Sequence, residues 1–282
     1  MRIRTAGLLA VMLALVAPAA ARAVGDADVA ALQVGLTAHD LYAGDVDGYA
    51  GPLTLTGLGR LPGATTPVSP ATRAALGDFG THPLGSRPLI MGAAGWDVAA
   101  LQFLLAWHGF PSGTLDGIFG TRTKVALLAF QRWEGIDPIA IAGPQTLAAL
   151  REPPPLSPLP LSPPIDAAPT DGFGPRGSRF HTGIDFPAPL GTPVVAARDG
   201  TVTAVGLLPG YGTVVELQHE QGVSTLYAHL SRALVEPGRR VPRGTPVGLV
   251  GATGDATGPH LHFEVRVRGA AVDPASTLGI DS

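Results

Sequence analysis

The sequence contains no cysteine. That excludes disulfides, thiolate zinc sites, cysteine nucleophiles and a lipid-modified N-terminal cysteine together. Charge is also sparse: charged residues make up 15% of the chain and the formal charge is −3, too mild to point to nucleic acid as a partner. Beyond the first residues no apolar run approaches the ~20 residues of a membrane anchor. No Gly-x-Ser-x-Gly sequence occurs, which disfavours a nucleophile-elbow serine hydrolase. Glycine and proline, by contrast, are abundant at 38 and 28 of 282 residues, which favours strands, turns and linkers over long helical bundles. A chain of this length suggests two ordinary domains or three small ones.

Residues 1–23 read as a signal peptide. Arg2 and Arg4 give a positive start, Gly7 to Val16 is a short apolar run, and Ala21-Arg22-Ala23 places small residues where a signal peptidase reads. Removing this segment takes away three arginines and no acid, leaving 16 basic and 22 acidic residues, a net of −6. The expectation is an exported soluble protein with no stable membrane anchor after cleavage, either secreted and wall-associated or periplasmic. Nothing in the sequence decides its oligomeric state.

An internal repeat follows. Residues Asp28 to Gln33 recur unchanged as Asp97 to Gln102, and Asp47-Gly48 answers Asp116-Gly117 at the same offset of 69. Pro70 to Leu76 resembles Pro144 to Leu150 at an offset of 74. Two copies of one helical unit, at 24–80 and 93–151, account for these matches. In the second copy Val98, Leu101, Leu104 and Leu105 fall on one helical stripe, and Val125, Leu128, Ala129 and Trp133 suggest another. Pro144 opens a third helix, and Ser69 can cap its counterpart. Gly57 and Gly59 sit within the second helix of the first copy, each costing roughly 1 kcal/mol against Ala, so that copy is expected to fold less firmly.

From Glu152 to Thr170, eight of 19 residues are proline. This linker, 152–170, reads as extended and semi-rigid, able to hold two bodies several tens of ångströms apart. Beyond it, short runs rich in Val, Thr, Leu and Tyr alternate with Gly- or Pro-containing turns, which reads as an all-β antiparallel domain over 171–278. The fold class is therefore multidomain: two small all-α three-helix units, then an all-β domain.

Eight histidines remain to be placed. His181 and Asp185 have a His-x-x-x-Asp spacing, His260 and His262 form a His-x-His, and His229 ends a strand. Neither spacing is informative alone. Together they say more, because residues i and i+2 of a strand share a face. Two imidazoles and a carboxylate make a common three-ligand zinc set with one position left for water.

The stretch from about Asp171 to Pro274 resembles the lysostaphin-type zinc endopeptidases of bacterial cell walls. The segments that carry the likeness are Phe173 to Arg176, His181 to Phe186, Tyr211 to Val215, Tyr227 to Leu230 and Thr257 to Glu264. The resemblance implies one Zn²⁺ held by His181, Asp185 and His262, with His229 and His260 as the catalytic histidines beside it. The helical repeats resemble peptidoglycan-binding modules, the second copy more closely than the first. The resemblance assigns no residues to peptidoglycan contact.

Three further residues are candidates for supporting or substrate-binding roles. Arg176 could hold a substrate carboxylate or steady a ligand, or form a structural ion pair. Tyr227 could donate to an oxyanion, or pack its ring in the core. Glu264 shares a face with His262, or is a solvated strand carboxylate. His219 shares strand parity with Val215 and Leu217 and reads as core or edge, and Trp96, Trp107 and Trp133 read as core. The function expected is a secreted zinc metalloendopeptidase acting on peptidoglycan. The rivals are a non-catalytic wall-binding protein or hydrolase activator, and an enzyme whose repeats cover its own cleft.

Overall fold

The computed structural model describes residues 24–280; the expected signal peptide, residues 1–23, lies outside them. The first helical copy comprises α1 (Ala27–Ala38), α2 (Pro52–Arg60) and α3 (Pro70–Ala75), and the second α4 (Trp96–Trp107), α5 (Thr121–Glu134) and α6 (Pro144–Ala149). Their starts follow from local chemistry. The Asp26 carboxylate accepts the Asp28 and Val29 N–H groups at 2.8 and 3.0 Å, and the Ser69 hydroxyl accepts Thr72 N–H at 3.1 Å. Gly135, left-handed at φ 70°, ends α5.

The two copies share one polar hub. Gln33 Nε2 donates to Asp47 Oδ1 (2.7 Å) and Thr54 Oγ1 (3.1 Å), while its Oε1 accepts Gly48 N–H (2.9 Å). Gln102 repeats this with Asp116 Oδ1 (2.9 Å), Thr123 Oγ1 (3.2 Å) and Gly117 N–H (2.8 Å). Each pair is 69 residues apart, so the repeated sequence encodes a repeated hydrogen-bond pattern. A buried amide with its donors and acceptors satisfied fixes the loop that follows it.

α1 and α4 pack on each other, with Trp96, Phe103 and Trp107 in the first copy's core, while Val98, Leu101 and Leu105 of α4 turn to the second. On α5 the buried stripe is Thr123, Ala126, Leu127 and Phe130. It is therefore shifted from the expected one, and Val125 is exposed. Gly57 is also more than a weak point. A Cβ there would lie 2.5 Å from the Leu41 carbonyl oxygen, so its absence lets α2 approach that loop.

The C-terminal body is antiparallel throughout. It contains a hairpin of β1 (Gly174–Arg176) and β2 (Arg179–His181), then β3 (Ile184–Pro187), β4 (Pro193–Val195), β5 (Gly200–Leu208), β6 (Gly212–Gln218) and β7 (Val223–Leu230). There follow β8 (Arg232–Ala233), β9 (Arg240–Val241), β10 (Pro246–Leu249), β11 (His260–Val267), β12 (Ala270–Val272) and a final short helix, α7 (Ala275–Leu278). The large sheet runs β12-β11-β7-β6-β5-β9, with β3 also paired to β11, and a small sheet runs β4-β10-β8. The core gathers Phe186, Val194, Leu217, Tyr227, Val247 and Phe263 from the two sheets.

The proline-rich segment does not hold the bodies apart. Leu159, Leu161 and Ile165 are buried in the β core, and Leu161 and Ser162 N–H groups donate to Thr277 and Ala197 carbonyls at 3.1 and 2.9 Å. The helical body also packs directly on the β body. Trp107 meets Phe173 and Phe180 edge-on at 6.2 and 5.3 Å, and Trp133 Nε1–H donates to the Val267 carbonyl at 2.9 Å. No helix among the described residues is long and apolar enough to cross a membrane.

Candidate metal centre

β11 carries His260, His262 and Glu264 at alternate positions, and β3 lies antiparallel to it with Asp185 directly opposite His262. His181 ends β2, and the turn through Thr182 and Gly183 returns the chain to β3. A Cβ on Gly183 would fall 2.4 Å from the Phe263 carbonyl oxygen and 2.9 Å from His262 Cε1. Glycine between the histidine and the aspartate is thus a steric requirement of bringing both side chains to one point.

That point is well defined. His181 Nε2 is 2.9 Å from His262 Nδ1 and 3.1 Å from Asp185 Oδ1, and the last two are 2.8 Å apart. The outer nitrogens fix the tautomers. His181 Nδ1 faces the Gly172 carbonyl at 2.7 Å and His262 Nε2 faces the Glu264 carboxylate at 3.1 Å. Carbonyls and carboxylates only accept, so the outer nitrogens carry the proton of each neutral imidazole, and the inner ones present lone pairs to a metal ion or, where the ring is protonated, an N–H to Asp185. Two lone pairs and a carboxylate oxygen meeting at one centre fit a cation bound by mixed nitrogen and oxygen donors.

The titration behaviour reflects the same crowding of acceptors. Burial alone would raise Asp185, but hydrogen bonds from His181 and His262 hold it well below the carboxylate range. Burial alone would lower His262, yet Asp185 and Glu264 raise it to about 9. Without a metal ion the centre keeps a proton that a divalent cation would displace.

Glu264 lies at the hub of a buried network. It accepts from Thr182 Oγ1, from the Tyr211 hydroxyl at 2.8 Å and from the Arg266 guanidinium at 2.6 Å. Despite the burial, His262 and Arg266 lower it to about 2. Tyr211 is driven up to about 12, by burial first and then by Glu264, and stays a neutral donor. Its ring lies 5.6 Å from that of His262. Tyr211, Thr182 and Asp171 complete the site without having been singled out from the sequence, although Tyr211-Gly212 opens one of the segments that carry the family likeness.

His229 reaches the site by a backbone irregularity. On β7 Tyr227 faces the core, and simple alternation would send His229 there too. Instead His229 adopts φ 58°, a left-handed conformation that costs about 1–3 kcal/mol in a residue with a Cβ. Its N–H bonds the Tyr211 carbonyl at 2.9 Å, and its Nδ1–H donates to the Thr253 carbonyl at 2.7 Å. His260 Nδ1–H donates to the Gly258 carbonyl at 2.9 Å, and the two rings lie 4.7 Å apart. Each therefore leaves Nε2 as an acceptor. Burial holds His229 below its ordinary value of 6.5, hence neutral at pH 7.

The remaining candidates separate. Arg176 pairs with Asp171 Oδ2 at 2.5 Å and with Asp185 Oδ2 at 3.1 Å, anchoring the oxygen that does not face the histidines. Tyr227, in contrast, is away from the centre. Its hydroxyl accepts Ala197 N–H at 2.9 Å and its ring packs on Phe263, so it is a core residue and cannot meet an oxyanion at the metal centre. The centre opens on a cleft of about 600 Å³, with Arg176, Arg179, Tyr211 and Asp255 among the residues that line it.

Residues 179–274 match the family model "Peptidase family M23", and residues 95–150 match "Putative peptidoglycan binding domain". Among characterised proteins, the DD-carboxypeptidase/endopeptidase Mpg of Neisseria meningitidis is 52% identical over 98 residues, 35% of this chain and 23% of that protein. The peptidoglycan DD-endopeptidase ShyA of Vibrio cholerae is 47% identical over 93 residues, 33% of this chain and 22% of that protein. The chain thus spans less than a quarter of the length of these two relatives. The catalytic domain of lysostaphin from Staphylococcus simulans is 32% identical, with 40% of this chain and 93% of that chain covered and a TM-score of 0.39.

Proposed function

We propose that this chain, which carries a peptidase family M23 domain behind a peptidoglycan-binding-type domain, is a zinc-dependent endopeptidase acting on peptidoglycan. Its target is a peptide bond of a cross-bridge or a stem, and its helical repeats dock it on the wall. Export through residues 1–23, to the wall or periplasm, belongs to the same proposal. The observation that carries it is the convergence of His181 Nε2, His262 Nδ1 and Asp185 Oδ1 on one centre beside an open cleft. Those three residues would hold the ion, which when bound supplies Lewis acidity and a nucleophile at neutral pH.

The protein's own groups supply the remaining chemistry. Amide hydrolysis needs a proton taken from water and one delivered to the leaving amine. His229 and His260, each with Nδ1–H tied to a carbonyl, offer Nε2 for that purpose. Arg176 keeps the Asp185 carboxylate turned so that one oxygen faces the histidines. Glu264 fixes the His262 tautomer and ring, and Tyr211 and Arg266 fix Glu264.

The test is digestion of purified peptidoglycan with and without a chelator, reading new amine termini by mass spectrometry. New termini that disappear with chelator are expected. No new termini, or termini that persist in chelator, would overturn the proposal. Stimulation of a second hydrolase without cleavage of its own would favour the activator reading.

A further inference from the structure

We infer that the two helical repeats act together as a clasp on the β1–β2 hairpin, and so belong to the working site as well as to wall docking. This rests on the reading of the cleft as a peptidase site. The hairpin supplies Arg176 from one strand and His181 from the other, and two paired strands of three residues each are too short to hold a fixed geometry alone. Its turn is Gly177-Ser178. Val46 N–H donates to the Gly177 carbonyl at 2.9 Å, and Leu115 N–H donates to the next carbonyl, Ser178, at 2.7 Å.

Val46 and Leu115 are 69 residues apart, the same offset that relates Gln33 to Gln102 and Asp47 to Asp116. Equivalent loop positions of the two copies therefore grip successive carbonyls of one turn. Both gripping residues are buried. The first copy adds a third bond: Asp45 Oδ1 accepts Gly177 N–H at 2.6 Å, while the Tyr42 hydroxyl holds the Asp45 carbonyl at 2.5 Å. Behind the turn, Phe180 stacks edge-on against Trp107 at 5.3 Å and Phe173 at 5.0 Å. Phe180 immediately precedes His181, so a shift in this packing moves a metal-centre side chain. The first copy's loop is also occupied by its own chain, which leaves wall contact to other surfaces.

Asp45 and Trp107 are thus positioning residues. The experiment uses the full mature chain, with Asp45→Ala, Asp45→Asn and Trp107→Leu. It reads kcat and KM on a soluble cross-linked muropeptide, zinc affinity by chelator competition, and pelleting with insoluble peptidoglycan. Asp45→Ala and Trp107→Leu should lose about 10- to 100-fold in kcat or zinc affinity, with pelleting unchanged. Asp45→Asn, which keeps an acceptor for Gly177 N–H, should restore most of that loss. Wild-type kcat and zinc affinity in both disruptive variants would overturn the clasp. If the wild-type chain neither cleaves nor binds zinc, the peptidase reading fails. Hydrogen exchange of amides 176–181 in Asp45→Ala then still reads the clasp: faster exchange supports it, and unchanged exchange overturns it.

Discussion

Buried histidines sit beside both ends of β7, and their wiring differs. Near its start, His219 Nδ1 meets the Asp199 carbonyl at 2.8 Å and Nε2 meets the Thr225 hydroxyl at 2.8 Å, so both nitrogens are satisfied by the protein. Near its end, His262 has Nε2 tied to Glu264, but Nδ1 faces only Asp185 and His181, which are themselves acceptors. A histidine with both nitrogens matched is a structural element. One whose inner nitrogen meets other lone pairs needs a cation between them, a proton when no metal ion is bound. Burial is common to both and does not distinguish them.

The sharpest way to break this contrast is to remove a donor from the second group. Alanine at His181, Asp185 or His262 should abolish stoichiometric zinc, measured by atomic absorption, and with it all detectable cleavage. A variant that kept one equivalent would not be missing a ligand. Alanine at His229 or His260 should leave zinc in place and lower kcat by about 10²–10⁴-fold, the usual range for a lost general acid or base. Zinc loss in either would place that histidine among the ligands. Glu264→Gln removes the charge behind His262 and should weaken zinc affinity by about 10- to 100-fold in a chelator titration.

His219 should behave differently from all of these. His219→Ala is expected to cost about 1–3 kcal/mol of stability by urea titration, through its unmatched partners, with zinc content unchanged. Its pH dependence follows from its setting. Burial first of all holds His219, and His108 likewise, below the ordinary 6.5. The unfolded chain therefore binds protons first as pH falls. Their contribution is complete above 6.5 and is lost as pH drops toward the lowered folded values. Between pH 7.5 and 5.5 the change in urea midpoint should therefore be less downward in the His219 variant than in the unsubstituted protein, since the raised His262 contributes equally to both.

Much of this arrangement was legible from residues alone. The exact return of Asp28–Gln33 as Asp97–Gln102 announced two copies of one unit, and the change from helical to alternating pattern after the prolines announced the β body. His262 and Glu264 share a face because they are two apart on a strand. Other features depend on contacts that no local pattern encodes. His229 reaches the cleft through a left-handed backbone, and strand parity would have placed it beside Tyr227 in the core. Proline content predicts stiffness, but whether Leu159, Leu161 and Ile165 find a surface depends on the far end of the chain near Thr277. On α5 it is Ala126, Leu127 and Phe130 that join Phe119 in the core, a choice of face made by contacts with other elements, and Val125 faces solvent. Tyr211 was missed because its role is defined by Glu264, 53 residues away.

The segment after α6 is laid along the β body, and Trp107 and Trp133 join the two halves by contacts that do not pass through that covalent link. A nick near Glu152 should yield a two-chain complex that co-elutes on gel filtration and separates only in denaturant.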